Sequence, residues 1–438
     1  MKEAFFALAA RLASALRGGE TLLCNLSAER SDFVRFNRAQ VRQAGSVEQR
    51  VLALRLVRGR RHAAVRLTLA GTRADDEAAQ AALGELRRTL DDVPEDPWLL
   101  VNEAPQASER VRRGALAPAR QVVDEVLRHA QGHDFVGIYA GGTLYRGFAG
   151  SLGQRHWHEV DSFNLDWSVY READQAVKAA IAGARWRAGD FAEAMARSVA
   201  QLGQLALPRR ELPPGEYRAY LAPRALEEIV GLLSWGGFSA RARATRQSPL
   251  LRMQEGATLS PRLDIAENTA EGIAPGFQAE GFVKPPRVEL VRAGRLGDAL
   301  VSPRSAREYG LATNGANAGE SPESIEVSAG ELASADALAA LERGLYVSNL
   351  WYLNFSDRAA GRITGMTRFA TFQVEGGRIA GPIAPLRFDD SIYRLLGSEL
   401  VALTRERELL LDASTYGERS SASARLPGAL VGAMRFTL

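Results

Sequence analysis

The side chains that could bind zinc or activate a water molecule are concentrated at one end of this sequence. All five histidines lie within the first 158 residues, and the only cysteine is Cys24. Protein zinc sites are built from histidine, cysteine and carboxylate ligands. The C-terminal half therefore cannot form a zinc site that uses histidine or cysteine. The histidines are His62, His129, His133, His156 and His158.

The best metal-binding candidate in the N-terminal half is the sequence HWHE at 156–159. If this segment is a strand, His156 and His158 project from the same face, because side chains alternate along a strand. Two such histidines could bind a metal ion, but no third ligand with a characteristic spacing accompanies them. The alternative is a solvated or hydrogen-bonded strand face, and the sequence favours that alternative.

Other common kinds of site are poorly supported. A Ser-His-Asp triad within the C-terminal half would need a histidine there, and no G-x-S-x-G motif is present. The glycine-rich segment 137–150 matches neither a phosphate loop nor a dinucleotide loop, and hairpin turns explain its glycines. Cys24 lies in an apolar run and is interpreted as a small buried side chain. Asp264, Glu267 and Asn268 form an acidic group whose simplest interpretation is an exposed turn.

Composition indicates an ordinary globular protein of more than one domain. The chain has 438 residues, of which 46% are hydrophobic and 24% charged, and it is too long for a single core. Its net charge is +3, but the basic residues are scattered, so we expect no nucleic-acid binding. No apolar run approaches the roughly 18 residues that a membrane span needs. We expect a cytoplasmic protein that does not bind membranes.

The N-terminal half predicts an α+β domain with an antiparallel sheet. Segments rich in β-branched and alternating apolar residues are joined by short polar turns, and helices separate the groups of strands. Leu207–Gly215 contains three prolines and predicts a linker, so we place domains at 1–210 and 211–438. The predicted strands are 20–27, 31–38, 48–57, 61–70, 134–148, 154–170 and 175–183, and the predicted helices are 74–92, 118–129 and 191–205.

The C-terminal half predicts many antiparallel strands and few helices, which is typical of a curved or barrel-like sheet. Phe369 and Phe372 lie three residues apart, which predicts a β-bulge in their strand. A first helix is predicted from Pro223 to Trp235, and a second near 391–397. The predicted strands are 216–221, 257–269, 287–293, 299–302, 345–355, 362–375, 401–411 and 425–437.

One segment of this half carries a family resemblance. The string GRITGMTRFATFQVEGGRI at 361–379, followed by PLRFDDS at 385–391, resembles the C-terminal domain of the TldD/PmbA family, also called modulators of DNA gyrase. The resemblance extends more weakly through 211–330 and the C-terminal RLPGALVGAMRFTL. It implies a metallopeptidase of two kinds of subunit, one with a metal (TldD) and one without (TldE or PmbA).

The helix after Pro223 decides which subunit the chain resembles. In the metal-bearing subunit, the resemblance places a His-Glu-x-x-x-His signature on this helix, with zinc on the histidines. Here the helix reads ALEEIVGLLSW, which keeps Glu227 and Glu228 but neither histidine. The resemblance therefore implies a TldE-like subunit that has no cofactor of its own, while a TldD-like partner supplies the zinc. No nucleic-acid motif supports the gyrase label.

The expected function is therefore that of a non-metal subunit that shapes a chamber for extended peptides and pairs with a TldD-like chain. One alternative is a non-enzymatic, homodimeric peptide-binding or scaffold protein that retains the fold. Another is an independent hydrolase that uses HWHE or acidic residues. Candidate peptide or partner contacts are the polar and aromatic residues of the family-like segment, for which strand packing is the competing interpretation. They are Trp351, Tyr352, Asn354, Thr367, Arg368 and Arg387.

Overall fold

The computed structural model describes residues 1–172 and 175–437, which form two sheets with helices packed against them. The first sheet has seven strands in the order β3-β2-β1-β5-β6-β4, and β7 also pairs with β6. All its pairs are antiparallel except β4 with β6. The strands are β1 (Glu20–Asn37), β2 (Gln40–Arg58), β3 (Arg61–Thr68), β4 (Ala107–Arg112), β5 (Asp134–Gly150), β6 (Arg155–Glu172) and β7 (Gln175–Gly183).

One face of this sheet is apolar and the other is largely polar. Leu22, Cys24 and Leu26 of β1 alternate towards two helices, with which they share a core. Burial raises the pKa of the Cys24 thiol to about 12, as expected for an inert buried cysteine. The helices are α1 (Lys2–Ser14), α2 (Ala74–Asp92), α3 (Ala119–Ala130) and α4 (Ala188–Gln204).

The second sheet has eleven strands, and part of it closes on itself. Strands β18, β16, β14, β13 and β8 follow one another, and β8 pairs again with β18, so these five form a ring. The predicted α+β class, with a barrel-like C-terminal sheet, is confirmed. The strands are β8 (Gly215–Leu221), β9 (Ile265–Glu267), β10 (Val288–Arg292), β11 (Arg295–Leu296), β12 (Ser324–Val327), β13 (Gly344–Asp357), β14 (Arg362–Glu375), β15 (Arg378–Pro382), β16 (Arg387–Ser391), β17 (Leu400–Leu411) and β18 (Ser423–Phe436).

Short helices fill the ring and its rim. The longest is α5, whose Leu226, Ile229 and Leu233 are buried in the largest core cluster. No helix in the described part of the chain is long and apolar enough to cross a membrane. The helices are α5 (Pro223–Leu233), α6 (Ala240–Ala244), α7 (Leu251–Gln254), α8 (Pro303–Tyr309) and α9 (Ala337–Leu341), with a 3-10 turn at Ser334–Asp336 and a π-helical turn at Arg394–Ser398.

Several local predictions were wrong. The segments 20–27 and 31–38 form one strand, β1, since Ala28, Glu29 and Arg30 between them pair with β2 and β5 without interruption. Only β9 forms within 257–269, because Pro261 and its polar neighbours interrupt the pairing, and 299–302 contributes a single bridge. The helix expected near 391–397 is a π-helical turn. Strand β4 was not predicted.

Arg419 joins the two halves of the chain. It lies in the loop before β18, is 4% exposed, and inserts against the polar face of the first sheet. Its guanidinium donates to the backbone oxygen and to Oγ of Ser162, both at 2.8 Å, and to Ser31 Oγ at 3.3 Å. Burial lowers the pKa of Arg419 to about 10. Such a buried cation needs these acceptors, which fix the loop on the sheet.

Candidate functional site

Helix α5 lies where the two sheets approach each other. Strand β8 leads directly into it, and the Ala222 N–H donates to the Val347 carbonyl of β13 at 3.0 Å. Pro223 occupies its first turn, where the missing N–H is tolerated. The apolar side of α5 is buried in the ring, so Arg224, Glu227 and Glu228 are left on the other side. This geometry turns the charged side of the helix towards the first sheet.

A cavity of about 810 Å³ lies between the sheets beside α5. Five consecutive residues of β7, 178–182, line it, together with the start of α5, part of α4 and strand β17. Within the described residues, β7 pairs with β6 alone, so its other edge borders the cavity. An unpaired strand edge presents backbone donors and acceptors that an extended peptide can use.

An alternating series of charges crosses the cavity wall. Arg224 donates to Glu227 Oε2 at 3.0 Å on α5, and its other nitrogen lies 4.0 Å from Asp166 Oδ2 on β6. Asp166 Oδ1 in turn lies 3.5 Å from the Lys178 Nζ of β7. The series links the helix of one half to two strands of the other half. Each carboxylate in this series therefore lies next to a cation of the series.

Glu227 and Glu228 of α5 and Glu408 of β17 are harder to ionise than in water, whereas hydrogen bonds from Ser334 lower the pKa of Glu406, which also lines the cavity. Burial raises the pKa of Glu227, and the Arg224 charge opposes that effect. Burial also raises the pKa of Glu228, with a further contribution from the Glu227 charge. On β17, burial raises the pKa of Glu408, while Arg224 and Arg197 act in the opposite direction. Nearby protein atoms remove part of the hydration that would otherwise stabilise these charges, although Glu228 and Glu408 keep exposed surface.

The residues on α5 do not fit a zinc ion. Glu227 is engaged by Arg224, and the next turn of the helix presents Leu232 and Leu233, which are buried and have no ligand atom. A guanidinium beside the site would also repel a divalent cation. Across residues 1–172 and 175–437, no group of three or more histidine, cysteine, aspartate or glutamate side chains is placed to hold a metal ion.

The histidines of HWHE lie at the seam between the halves and are fully hydrogen-bonded. His156 accepts at Nδ1 from Ser108 Oγ at 2.8 Å, and its Nε2 donates to the Gly281 carbonyl at 3.2 Å. His158 donates from Nε2 to the Ile273 carbonyl at 2.9 Å and accepts from Arg110 at 3.3 Å. Burial, with the nearby arginines, lowers the pKa of His158 to about 3. Both rings therefore hold a loop of the second half.

Four of the six sequence candidates share one surface. Trp351 pairs across the strands with Met366, which pairs with Arg387, and Asn354 is opposite Thr364. Directly opposed residues point to the same side of a sheet. We call this surface, the outward side of β13, β14 and β16, the outer face. It is formed by Trp351, Asn354, Arg362, Thr364, Met366, Arg368, Arg387 and Asp389.

The individual candidates differ in their surroundings. Trp351 is 52% exposed, and Arg368 lies over its ring, with the guanidinium carbon 5.1 Å from the ring centre. Tyr352 is 80% exposed and has φ of 57°, where the strand bulges. Asn354 accepts from the Phe355 N–H, and Arg387 pairs with Asp389 at 3.0 Å.

Thr367 lies on the opposite side of β14 from the outer face. It is buried, and its Oγ1 accepts from the Leu386 N–H at 2.9 Å, which joins β14 to the chain entering β16. The predicted bulge is present nearby, since the β13–β14 register shifts there and Phe369 has φ of 58°. A residue other than glycine at positive φ carries backbone strain. The β13–β14 ribbon contains two such residues, Tyr352 and Phe369, and so is locally strained at both bulges.

The outer face and the cavity are connected. Lys178, which lines the cavity, lies 5.9 Å from the centre of the Phe369 ring, and Arg368 lies 5.3 Å from the same ring. Arg368 also contacts Trp351. We call Lys178, Phe369, Arg368 and Trp351 the ladder, because cations and aromatic rings alternate along it. It runs from the wall of the cavity to the outer face.

Sequence reasoning did not identify the network around α5. Arg224 precedes Glu227 by three residues, a spacing that favours an ion pair on a helix. That signal was available, but Asp166 and Lys178 are distant in sequence and meet Arg224 only through the packing of the two halves. Asp264, Glu267 and Asn268 were also misread as exposed. Glu267 and Asn268 are buried, and burial raises the pKa of Glu267 to about 7.

Comparison with known proteins places the chain in a family. The family model of the PmbA/TldA metallopeptidase C-terminal domain matches residues 214–438, more than half of the chain. The chain belongs to the PmbA/TldD family. No curated protein matches the sequence. The family match covers α5, the outer face and every strand of the second sheet.

Solved structures share the fold of this PmbA/TldD family chain over its whole length. TldE from Thermococcus kodakarensis is 13% identical with a TM-score of 0.82, covering 98% of both chains. A candidate modulator of a DNA gyrase from Thermotoga maritima is 14% identical with a TM-score of 0.79, covering 100% of both. A second such protein, from Bacteroides thetaiotaomicron, is 13% identical with a TM-score of 0.77, covering 100% of this chain and 98% of its own. At these identities the likeness shows the fold alone.

Proposed function

We propose that this chain is the TldE-like, non-metal subunit of a two-chain peptidase and acts on unfolded or small peptides. It shapes the peptide chamber, and a TldD-like partner supplies the zinc and the activated water. The observation that carries the proposal is the composition of α5, which has Glu227 and Glu228 but no histidine and whose carboxylate is bound by Arg224. The chain contributes binding and positioning.

The cavity beside α5 supports a peptide ligand. Residues 178–182 of β7 line the cavity. At about 3.3 Å per residue, this part of the strand is long enough to pair with a short extended peptide. Backbone pairing is tolerant of sequence, which suits a chamber for varied unfolded peptides. The mixed charges of Lys178, Arg224 and Glu408 on the walls can meet either end or either sign of a peptide side chain.

The proposal is tested by peptide hydrolysis with separated components. An unstructured fluorogenic peptide is incubated with this chain, with a zinc-loaded TldD-like chain that carries His-Glu-x-x-x-His, and with the co-expressed pair. We expect turnover only in the pair, and none when the partner's signature histidines are replaced by alanine. Turnover by this chain alone would contradict the proposal. No turnover and no complex with the TldD-like chain, together with a dimer of this chain alone, would favour the homodimeric scaffold alternative.

A further inference from the structure

We propose that the outer face is the docking surface for the metal-bearing subunit, with Trp351 as its anchor and Arg368 as its charged contact. This inference rests on the proposed function, because it names the surface that the partner occupies. The expected partner surface is apolar at its centre and carries a carboxylate. The partner binds at the outer end of the ladder, so that a peptide held along β7 reaches the partner's metal site.

The outer face has the composition of an interface centre. Trp351 is 52% exposed and Met366, directly opposite on β14, is 39% exposed. Tyr352, at the bulge beside them, is 80% exposed. Tryptophan, tyrosine and arginine are the residues enriched at binding hot spots, and a cluster of large exposed apolar side chains is unusual on an isolated surface.

The charges of this face favour a different chain over a second copy. Arg387 forms an ion pair with Asp389. Asp357, at the end of β13, accepts a hydrogen bond from the Ala360 N–H. Arg362 and Arg368 have no ion pair with any residue that the structure describes. In a two-fold symmetric homodimer centred on Trp351, the Arg368 side chains of the two chains would lie close together and repel each other. A partner that presents a carboxylate satisfies Arg368 instead.

The ladder supplies the functional reason for docking here. Lys178 and Arg368 both lie near the Phe369 ring, 5.9 Å and 5.3 Å from its centre. Lys178 also belongs to the cavity wall through its contact with Asp166. A subunit bound on Trp351 therefore contacts the ladder that leads from the outer face to the cavity wall.

The test measures association directly, without using peptidase activity. Isothermal titration of the zinc-loaded TldD-like chain into this chain gives Kd for the wild type and for Trp351→Ala, Arg368→Glu and Trp98→Ala. Trp98 is an exposed tryptophan of the first half and serves as the matched control. We expect Trp351→Ala to raise Kd at least about 30-fold, as for a hot-spot residue. Arg368→Glu should raise Kd and reduce its dependence on salt, while Trp98→Ala should leave Kd unchanged.

The outcomes separate this inference from the proposed function. If the pair binds and hydrolyses peptide but Trp351→Ala and Arg368→Glu leave Kd unchanged, the docking surface is wrong and the proposed function stands. If the wild-type chains neither associate nor hydrolyse peptide, both are wrong. If Trp351→Ala abolishes self-association of this chain and the TldD-like chain does not bind, the face is a homodimer contact. Unchanged melting temperatures of the variants show that any loss is not due to unfolding.

Discussion

Glu227 accepts a hydrogen bond from Arg224 at 3.0 Å, one turn earlier on the same helix. Glu227 is one of the two glutamates that α5 retains, and this contact engages its carboxylate. It also starts the charge series that continues through Asp166 to Lys178. Through this series, α5 of the second half is joined to the first sheet.

The Arg224 network predicts a measurable contribution to stability. Arg224→Met should lower the free energy of unfolding by about 1–3 kcal/mol at pH 7, because Glu227 and Asp166 lose their shared cation in a partly buried setting. Urea unfolding measures the change. The Arg224→Met/Asp166→Asn double variant is the control, since the loss should be smaller once one carboxylate is removed. Equal stability of wild type and Arg224→Met would contradict the role assigned to the network.

Glu408, on the wall of the cavity, is expected to lower the stability of the fold at neutral pH, in contrast to Arg224. Burial raises its pKa above the usual value of 4.5, so its contribution to stability is present below that pH and is lost as pH rises through the folded pKa. Glu408→Gln should therefore raise the melting temperature at pH 8, and the difference should shrink towards pH 4. Thermal unfolding across this range measures it. A lower melting temperature for the variant at pH 8 would show that Arg224 and Arg197 outweigh the burial.

His158 predicts sensitivity to acid. Its folded pKa is about 3, against 6.5 for the free side chain, so its contribution is fully present above pH 6.5 and is lost as pH falls towards 3. The full difference corresponds to on the order of 4 kcal/mol. His158→Gln keeps a donor for the Ile273 carbonyl and should flatten the stability between pH 6.5 and pH 4. Chemical unfolding at several pH values checks this, and an unchanged slope would contradict it.

Arg419 predicts that one side chain of the C-terminal loop holds the first sheet in place. Arg419→Ala should cost about 3 kcal/mol, since Ser162 and Ser31 would keep buried oxygens without this donor. Arg419→Lys should recover only part of the loss, because a single ammonium cannot reproduce the guanidinium fork. Differential scanning calorimetry measures both variants. Full recovery by lysine would show that charge alone matters.

Local patterns were sufficient for much of the fold. The helices at 74–92 and 118–129 and most long strands follow from periodicity, because their buried faces lie within single elements. The Phe369 bulge was also predictable from the spacing of the aromatic residues. By contrast, β4 owes its pairing to the distant strand β6 and was not predicted, and the strand predicted at 257–269 forms only at β9. The burial of Ser31 depends on a contact from Arg419, far along the chain, and no local pattern reveals it.

The site was predicted less completely than the fold. The missing histidines are a property of the sequence and needed no structure. The family-like segment gave residues that gather on the outer face, while Thr367 is buried between strands. The cavity escaped prediction because β7 and α5 come from different halves. Whether the six candidate residues contact peptide or partner stays a prediction, which the Trp351 and Arg368 variants test.

The central claim is that this chain supplies no catalytic group, and Glu228 tests it most directly. Glu228 is the α5 residue that follows Glu227, and the metal-bearing signature also contains a glutamate that acts on water. The kcat of the reconstituted pair with Glu228→Gln in this chain should remain within about twofold of the wild type. A loss of about 100-fold or more in kcat, as expected for removal of a general acid or base, would contradict the claim.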